Sequence, residues 1–407
     1  MTARVLYLSY DGMCDPLGGS QVLPYLFGLA RRGHRISLIS FEKSERTTVE
    51  RETVAKACAD AGIAWHPLPY RKRPPVLSTM ADVVQMQRLA AQLHRQTPFD
   101  LVHCRSYLPA LVGLKMKQRF GTRFLFDMRG FWADERLESG SWPSTNPVLR
   151  AAYTYFKSQE RAFWRQADAM VSLTQSGKKS IETSEGDTAP ISVIPCCVDF
   201  DVFKPVTKAK RAEARKQLGI GKDDHVLGYI GSLGGNYMLD EMLDFYRAYR
   251  ERHGGAKFLF VTQVPDEEIR AAAETKAVDA AEIVIRRASR LQVPFYVAAA
   301  DHGIAFKQPS FSAKACSPTK LGEMLALEIP VVANSGVGDV EQVIEETGAG
   351  VIIRSFRETA YRQAVEALQA VKPNSRWRKA TSGWFDLDAG IDRYDEIYRN
   401  LVARQHA

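Results

Sequence analysis

Arg4-Val-Leu-Tyr-Leu-Ser-Tyr10, then Asp15-Pro-Leu-Gly-Gly-Ser-Gln21, then a helix-period segment over 22–30, then Arg35-Ile-Ser-Leu-Ile-Ser40: this opening decides the fold. Its first and last pieces are short apolar runs of strand length and content. The second piece reads as a glycine-rich loop, and Gly33 stops the helix. Strand, helix and strand within about 40 residues predict a right-handed βαβ unit with parallel strands.

The same alternation runs outward from there. Apolar runs at 64–68, 101–103, 124–126, 169–173 and 191–194 predict further strands, with helices between most of them. The second half starts again with Val226-Leu-Gly-Tyr-Ile-Gly231, a glycine-rich turn Ser232-Leu-Gly-Gly-Asn236 and a helix over 239–251. Strands follow at 257–262, 283–285, 303–306, 330–333 and 350–353. At 407 residues the chain is too long for one ordinary domain and suits two. The expected fold class is α/β, with two doubly wound Rossmann-like domains facing each other across a cleft. The expected divisions are 1–198, 199–383 and a terminal helix over 384–407 that crosses back to the first domain. Two prolines, Pro195 and Pro205, bracket the hinge.

Composition narrows the function. Six scattered cysteines without C-x-x-C spacing argue against a zinc site and a disulfide framework, and they suit a reducing cytoplasm. No apolar run approaches the ~20 residues of a membrane span, and no leader precedes the first strand. The formal net charge is +8. Residues 1–198 carry 26 Lys and Arg against 18 Asp and Glu, so the whole surplus lies there. A basic half beside a neutral half suggests two different ligands. Nucleic acid is not the expected partner, because the basic residues come without a known module. A nicotinamide dinucleotide is disfavoured too. Gly18-Gly19-Ser20 is not G-x-G-x-x-G, and Ser40, not an acid, occupies the end of the second strand.

Three stretches in order resemble the retaining GT-B glycosyltransferases of family 4. The first is Gly18-Gly-Ser-Gln-Val-Leu-Pro-Tyr-Leu-Phe-Gly-Leu-Ala-Arg-Arg-Gly-His34. The second joins Ala167-Asp-Ala-Met-Val-Ser-Leu-Thr174 to Val193-Ile-Pro-Cys-Cys-Val-Asp199 and Phe203-Lys-Pro205. The third is Ser317-Pro-Thr-Lys-Leu-Gly-Glu-Met-Leu-Ala326, followed by Ile329-Pro-Val-Val-Ala333, Gly338-Asp339 and Gly348-Ala-Gly350. The resemblance implies transfer of a sugar from a nucleotide donor with retention. It implies a C-terminal domain that holds the donor and an N-terminal domain that holds the acceptor.

The motif residues then take expected roles. Ser317 is a natural N-cap and Pro318 a natural first helical residue, so a helix N-terminus suited to a diphosphate begins there. Thr319 and Lys320 add a hydroxyl and a charge. Glu323 resembles the family's second glutamate, which accepts the ribose hydroxyls. Ala315 stands where the family has its first glutamate, which leaves the donor sugar open; Lys314 is a nearby polar substitute. Many members carry Arg and Lys near the glycine turn, where Ser232 and Tyr237 stand here. Gly234, Gly235 and Asn236 still bring backbone N–H groups close to phosphate. By resemblance, Gly18 and Gly19 lie against the donor phosphate or the acceptor.

Phe124-Leu-Phe-Asp127-Met-Arg129-Gly-Phe-Trp132 ends a strand in a carboxylate, where the family often has a catalytic His. Asp127 either takes the acceptor proton, stabilises positive charge on the sugar, caps the next helix or pairs with Arg129. His103 resembles a family His and is equally readable as structural. Arg105 and Trp132 are acceptor-side candidates. No D-x-D follows a strand, so neither metal nor cofactor is expected. The basic loop Tyr70-Arg-Lys-Arg-Pro-Pro75 and the aromatic, basic segment 148–164 read either as a solvated loop and a core helix or as peripheral contact with an anionic membrane or a lipid-linked acceptor. The expectation is a cytoplasmic enzyme of surface glycan assembly, at the inner membrane face. A nucleotide-sugar 2-epimerase and a non-catalytic nucleotide-sugar binder are the alternatives.

Overall fold

The computed structural model describes residues 2–74 and 76–403. The chain divides into two compact units, one of residues up to Pro195 together with the chain from Leu387, the other Cys196–Asp386.

The first unit holds seven strands: β1 Arg4–Ser9, β2 Arg35–Glu42, β3 Ala64–Pro69, β4 Leu101–Arg105, β5 Arg123–Asp127, β6 Ala169–Ser172 and β7 Ile191–Val193. Their order is β3-β2-β1-β4-β5-β6-β7, and every pairing is parallel. β4 is buried at every residue, and so is β1 after Arg4. That is why these strands read as unbroken apolar runs: helices cover both faces. The order reverses at β1 and β4, so ligands are expected beyond the carboxyl ends of those strands.

Two local expectations change. Residues 15–21 are not a loop: Pro16–Gln21 forms a short helix with proline at its start. β2 runs on to Glu42, so an acid does end that strand. Glu42 is buried and accepts the backbone N–H groups of Met13 and Cys14 at 2.7 and 3.1 Å, which spends the carboxylate on the loop after β1.

The terminal segment is two helices, Ser375–Phe385 in the second unit and Leu387–Ala403 in the first. The latter buries Ile391, Tyr394, Tyr398 and Leu401, one helical face, against Leu23–Arg31. A Cβ on Gly28 would lie 2.3 Å from Ile391 Cδ1, so only glycine lets the two helices approach this closely. His34 Nε2 meets Asp395 Oδ1 at 2.7 Å and Arg32 Nε donates to Asp392 at 3.0 Å.

The second unit holds β8 His225–Ile230, β9 Ala256–Val261, β10 Ile283–Arg286, β11 His302–Ala305, β12 Val331–Asn334 and β13 Gly350–Ile353. They are parallel, in the order β10-β9-β8-β11-β12-β13. Each face carries its own apolar cluster, one around Trp377 and Phe385 and one around Tyr246 and Phe258. The two sheets establish a two-domain, Rossmann-like α/β architecture.

Three imidazoles gather at the amino end of this second sheet. His225 and His253 stack with centroids 3.9 Å apart, and His302 lies 6.5 Å from His253. Tyr249 bonds His302 Nδ1 at 2.9 Å. Burial first, then His225 and Arg252, push His253 down to about 4. Burial pushes His302 down to about 4 as well; Asp301 opposes, while His253, His225 and Lys372 assist.

Two outcomes are expected. Gly28→Ala forces the helices apart and costs about 1–3 kcal/mol in urea unfolding. Both imidazoles titrate lower in the fold than the ~6.5 of a free histidine, so stability is complete above that value and is lost as pH falls toward 4. Thermal melts should therefore show Tm dropping through that window, less steeply in His302→Gln.

Candidate active site

In the first unit, Ser9, Arg105 and Asp127 sit side by side at the carboxyl ends of β1, β4 and β5. Asp127 is only 1% exposed. Tyr394 donates its hydroxyl to Oδ2 at 3.1 Å, and His103 Nε2 lies 3.5 Å from the same oxygen. Arg129 Nη1 is 3.7 Å from Oδ1, and that oxygen makes no hydrogen bond among the described residues. Burial works to raise the Asp127 pKa, but Arg129, His103 and Arg105 outweigh it and hold the group below its ordinary value. The His103 pKa is lowered too, chiefly by burial, which favours the neutral imidazole. Its Nδ1 meets Tyr398 Oη at 2.7 Å.

The strand ends here are strained. Ser106, just after β4, has φ 68° and Arg129, just after β5, has φ 61°. Non-glycine residues rarely adopt this conformation, and such strain gathers at functional sites. Arg105 donates through Nε to Asp11 at 3.2 Å. So Asp127, Arg129, His103 and Arg105 form one cluster, with a lone acceptor oxygen on an ionised carboxylate. Trp132 lies apart from it, stacked on Tyr107 at 5.7 Å. Gly18 touches the backbone of the preceding loop: a Cβ there would lie 2.1 Å from Gly12 O. A Cβ on Gly19 would meet nothing. Gly18 is thus a packing requirement.

In the second unit the turn after β8 has Gly231, Gly234 and Gly235 at φ 97°, 93° and 62°. Those values need glycine, and they leave Ser232, Gly234 and Gly235 exposed. Asn236 is buried, and its Oδ1 has no hydrogen-bond partner among the described residues. The helix that follows Ser317 begins one residue later than expected, at Thr319, with Pro318 before it. Ser317 does not cap that helix; its hydroxyl accepts the Cys196 N–H at 3.2 Å. Ala315 is fully buried in the turn ahead.

Lys320 is the unusual group. It is 6% exposed. Its ammonium sits 3.4 Å from the Tyr237 ring centroid and donates to the Tyr229 hydroxyl. It makes no ion pair among the described residues. Lys307 approaches the same Tyr237 ring at 5.1 Å. Burial pushes the Lys320 pKa well down; Lys307 adds to this, and Cys316 and Glu323 oppose it. One turn on, Glu323 is buried and ion-paired with Arg290, whose guanidinium lies 4.4 Å from the Phe203 ring centroid. Burial lifts the Glu323 pKa against Arg290 and Lys320. Lys314 lies apart, exposed, with Nζ 5.5 Å from the centroid of the Phe311 ring.

The comparisons agree with this picture. Residues 19–197 match the glycosyl transferase 4-like domain. The D-inositol 3-phosphate glycosyltransferase of Actinosynnema mirum is 22% identical over 70% of this chain and 67% of its own. Sucrose-phosphate synthase from Thermosynechococcus elongatus superposes with a TM-score of 0.72 at 15% identity, over 99% of this chain and 100% of that one. The Anabaena protein HepE in complex with UDP-glucose gives 0.71 at 13% identity, over 98% and 100%. The molecule is a GT-B glycosyltransferase enzyme. Within that class, residues 19–197 are those of a glycosyl transferase 4-like domain.

Arg290, Tyr229 and the bond from Tyr394 to Asp127 were not found from sequence. Arg290 belongs to the basic run Arg286-Arg-Ala-Ser-Arg290, a signal that was present. The Tyr394 hydroxyl is the hydrogen bond that Asp127 accepts from a side chain of the terminal helix. Tyr394→Phe should destabilise the protein by about 1–3 kcal/mol and raise the Asp127 pKa, measured by denaturation at several pH values.

Proposed function

We propose that the protein is a retaining glycosyltransferase that takes its sugar from a nucleoside-diphosphate donor bound by the second unit. The observation that carries this reading is Lys320, a buried ammonium without a carboxylate partner among the described residues. A buried cation without a counter-ion is costly, and a diphosphate would supply the missing charge. Its neighbours suit the same ligand. The glycine turn after β8 presents backbone N–H groups, the helix Thr319–Ala326 begins beside Lys320, and Lys307 shares the Tyr237 ring. Asn236 Oδ1, an acceptor to spare, suits a hydroxyl of the donor rather than its phosphates. Glu323 would accept the ribose hydroxyls in place of its bond from Arg290, which would then be free for the phosphates. The bound UDP-glucose of HepE supports this class of donor.

In the reaction, Lys320, Lys307 and the backbone donors stabilise the departing diphosphate, where negative charge develops. Asp127, kept ionised by its cations, has the charge that would stabilise a positive charge developing on the sugar. The first unit holds the acceptor, and its basic surplus suits an acceptor that is anionic or lipid-linked. The retaining outcome rests on the sequence resemblance. No described helix is long and apolar enough to cross a membrane. We place the reaction in the cytoplasm.

The segment 148–164 contributes less to a membrane surface than its composition suggests. Phe163 and Trp164 are buried, Lys157 pairs with Asp134, and Arg161 and Arg165 pair with Glu185. Pro75 of the basic loop lies outside the described residues.

Calorimetry with UDP- and GDP-sugars tests the donor site. Lys320→Met and Glu323→Gln should each weaken binding at least about tenfold. Unchanged affinity in both variants would overturn the assignment. The anomeric configuration of the product, read by NMR, checks retention.

A further inference from the structure

Arg136 belongs to the helix Trp132–Glu138, which follows β5. Its guanidinium lies 4.6 Å from the Trp132 ring centroid and 5.6 Å from that of Trp142. The two indoles stand at 85° with centroids 5.1 Å apart, so they form two walls of a corner that holds the planar cation. The corner is anchored: Trp142 N–H donates to Arg136 O at 2.8 Å, and Trp132 stacks on buried Tyr107.

The guanidinium makes no hydrogen bond and no ion pair among the described residues, and its Nε is buried without a partner. Several other cations of this region are paired: Lys157 with Asp134 and Glu160, Arg161 and Arg165 with Glu185, and Arg71 with Asp82. Burial pushes the Arg136 pKa down. The groups that pull the other way are Glu135, Tyr70 and Tyr10. Glu135 is an exposed carboxylate. Tyr10 and Tyr70 follow β1 and β3, and their rings are 5.7 Å apart, which puts Arg136 at the carboxyl edge of the sheet. Exposed Lys72 and Arg73 continue the positive surface.

Aromatic faces offset part of the cost of burying a cation, but they satisfy none of its N–H donors. A fork of donors held rigid by two indoles, short of a carboxylate, matches an oxyanion in two-point contact. We propose that Arg136 is the anchor for an oxyanion, phosphate or carboxylate, carried by the acceptor. This rests on the assignment of the acceptor to the first unit. It adds the chemical class of the acceptor and the residue that reads it.

Titrating the full chain with methyl phosphate, and separately with methyl glucuronide, tests this. Intrinsic tryptophan fluorescence is the readout, because Trp132 and Trp142 frame the site. One of the two anions should bind, and which one does distinguishes a phosphate-bearing from a carboxylate-bearing acceptor. Arg136→Met should weaken that binding at least about tenfold, and Arg136→Lys, which keeps the charge and loses the fork, by several-fold. Lys320→Met should leave the response in place, which separates it from the donor site. If both Arg136 variants bind as the unaltered protein does, or if neither anion binds the unaltered protein, the proposal is overturned. Loss of the donor reading would instead show as absent nucleotide-sugar binding in the unaltered protein.

Discussion

Asp127 holds a negative charge where water barely reaches, and much of the first unit is arranged to make that tolerable. A carboxylate taken out of water without partners would simply take up a proton. Here two arginines, a histidine and a tyrosine surround it, drawn from three places in the sequence. Arg105 and His103 come from β4 and Arg129 from a strained turn. Tyr394 comes from the terminal helix, 267 residues away. That helix belongs to the first unit for a mechanical reason as well. Gly28 has no side chain, so Ile391 can fill its place. The contact that packs the helix and the bond that serves the carboxylate therefore stand or fall together.

The second unit poses the opposite problem. Around Asp127 cations exceed acids; around Lys320 there is no acid in ion-pair reach among the described residues. Two tyrosines serve instead, one giving an aromatic face and one a hydroxyl. Aromatic faces lower the cost of a buried ammonium without cancelling its charge. An acid in their place would neutralise Lys320 and leave nothing for a phosphate to meet. Tyr237 stands where the family resemblance implies a lysine. The substitution keeps positive charge nearby by gathering Lys307 and Lys320 on one ring.

The fold was legible because parallel strands are buried on both faces. Runs such as Val226-Leu-Gly-Tyr-Ile and Pro330-Val-Val-Ala need no alternation to be recognised. The edges were less legible. Residues 15–21 look like a loop because two glycines sit in them, yet proline at the start makes a helical turn. Ser317 has the chemistry of a cap and spends it on Cys196 instead. Of the site, the parts on one local motif were readable: Asp127 with Arg129, and Lys320 with Glu323. Arg290 and Tyr394 were not read as partners, because they meet their carboxylates only through the fold. Spacing in sequence carries no information about such pairs.

Charge placement shows how the fold changes a sequence argument. Counted by halves of the chain, the second is neutral. Counted by units, the terminal segment moves its four acids and three bases into the first, which then holds 29 basic residues against 22 acidic. The second unit is left with 26 against 25. The surplus in the first unit falls slightly, and its meaning sharpens. The acids that arrive, Asp392 and Asp395, meet Arg32 and His34 on the helix-packing side. They do not reach Arg129, Arg136, Lys72 or Arg73. Arg136, Lys72 and Arg73 thus keep their positive charge at the carboxyl edge of the first sheet, which suits a negatively charged acceptor.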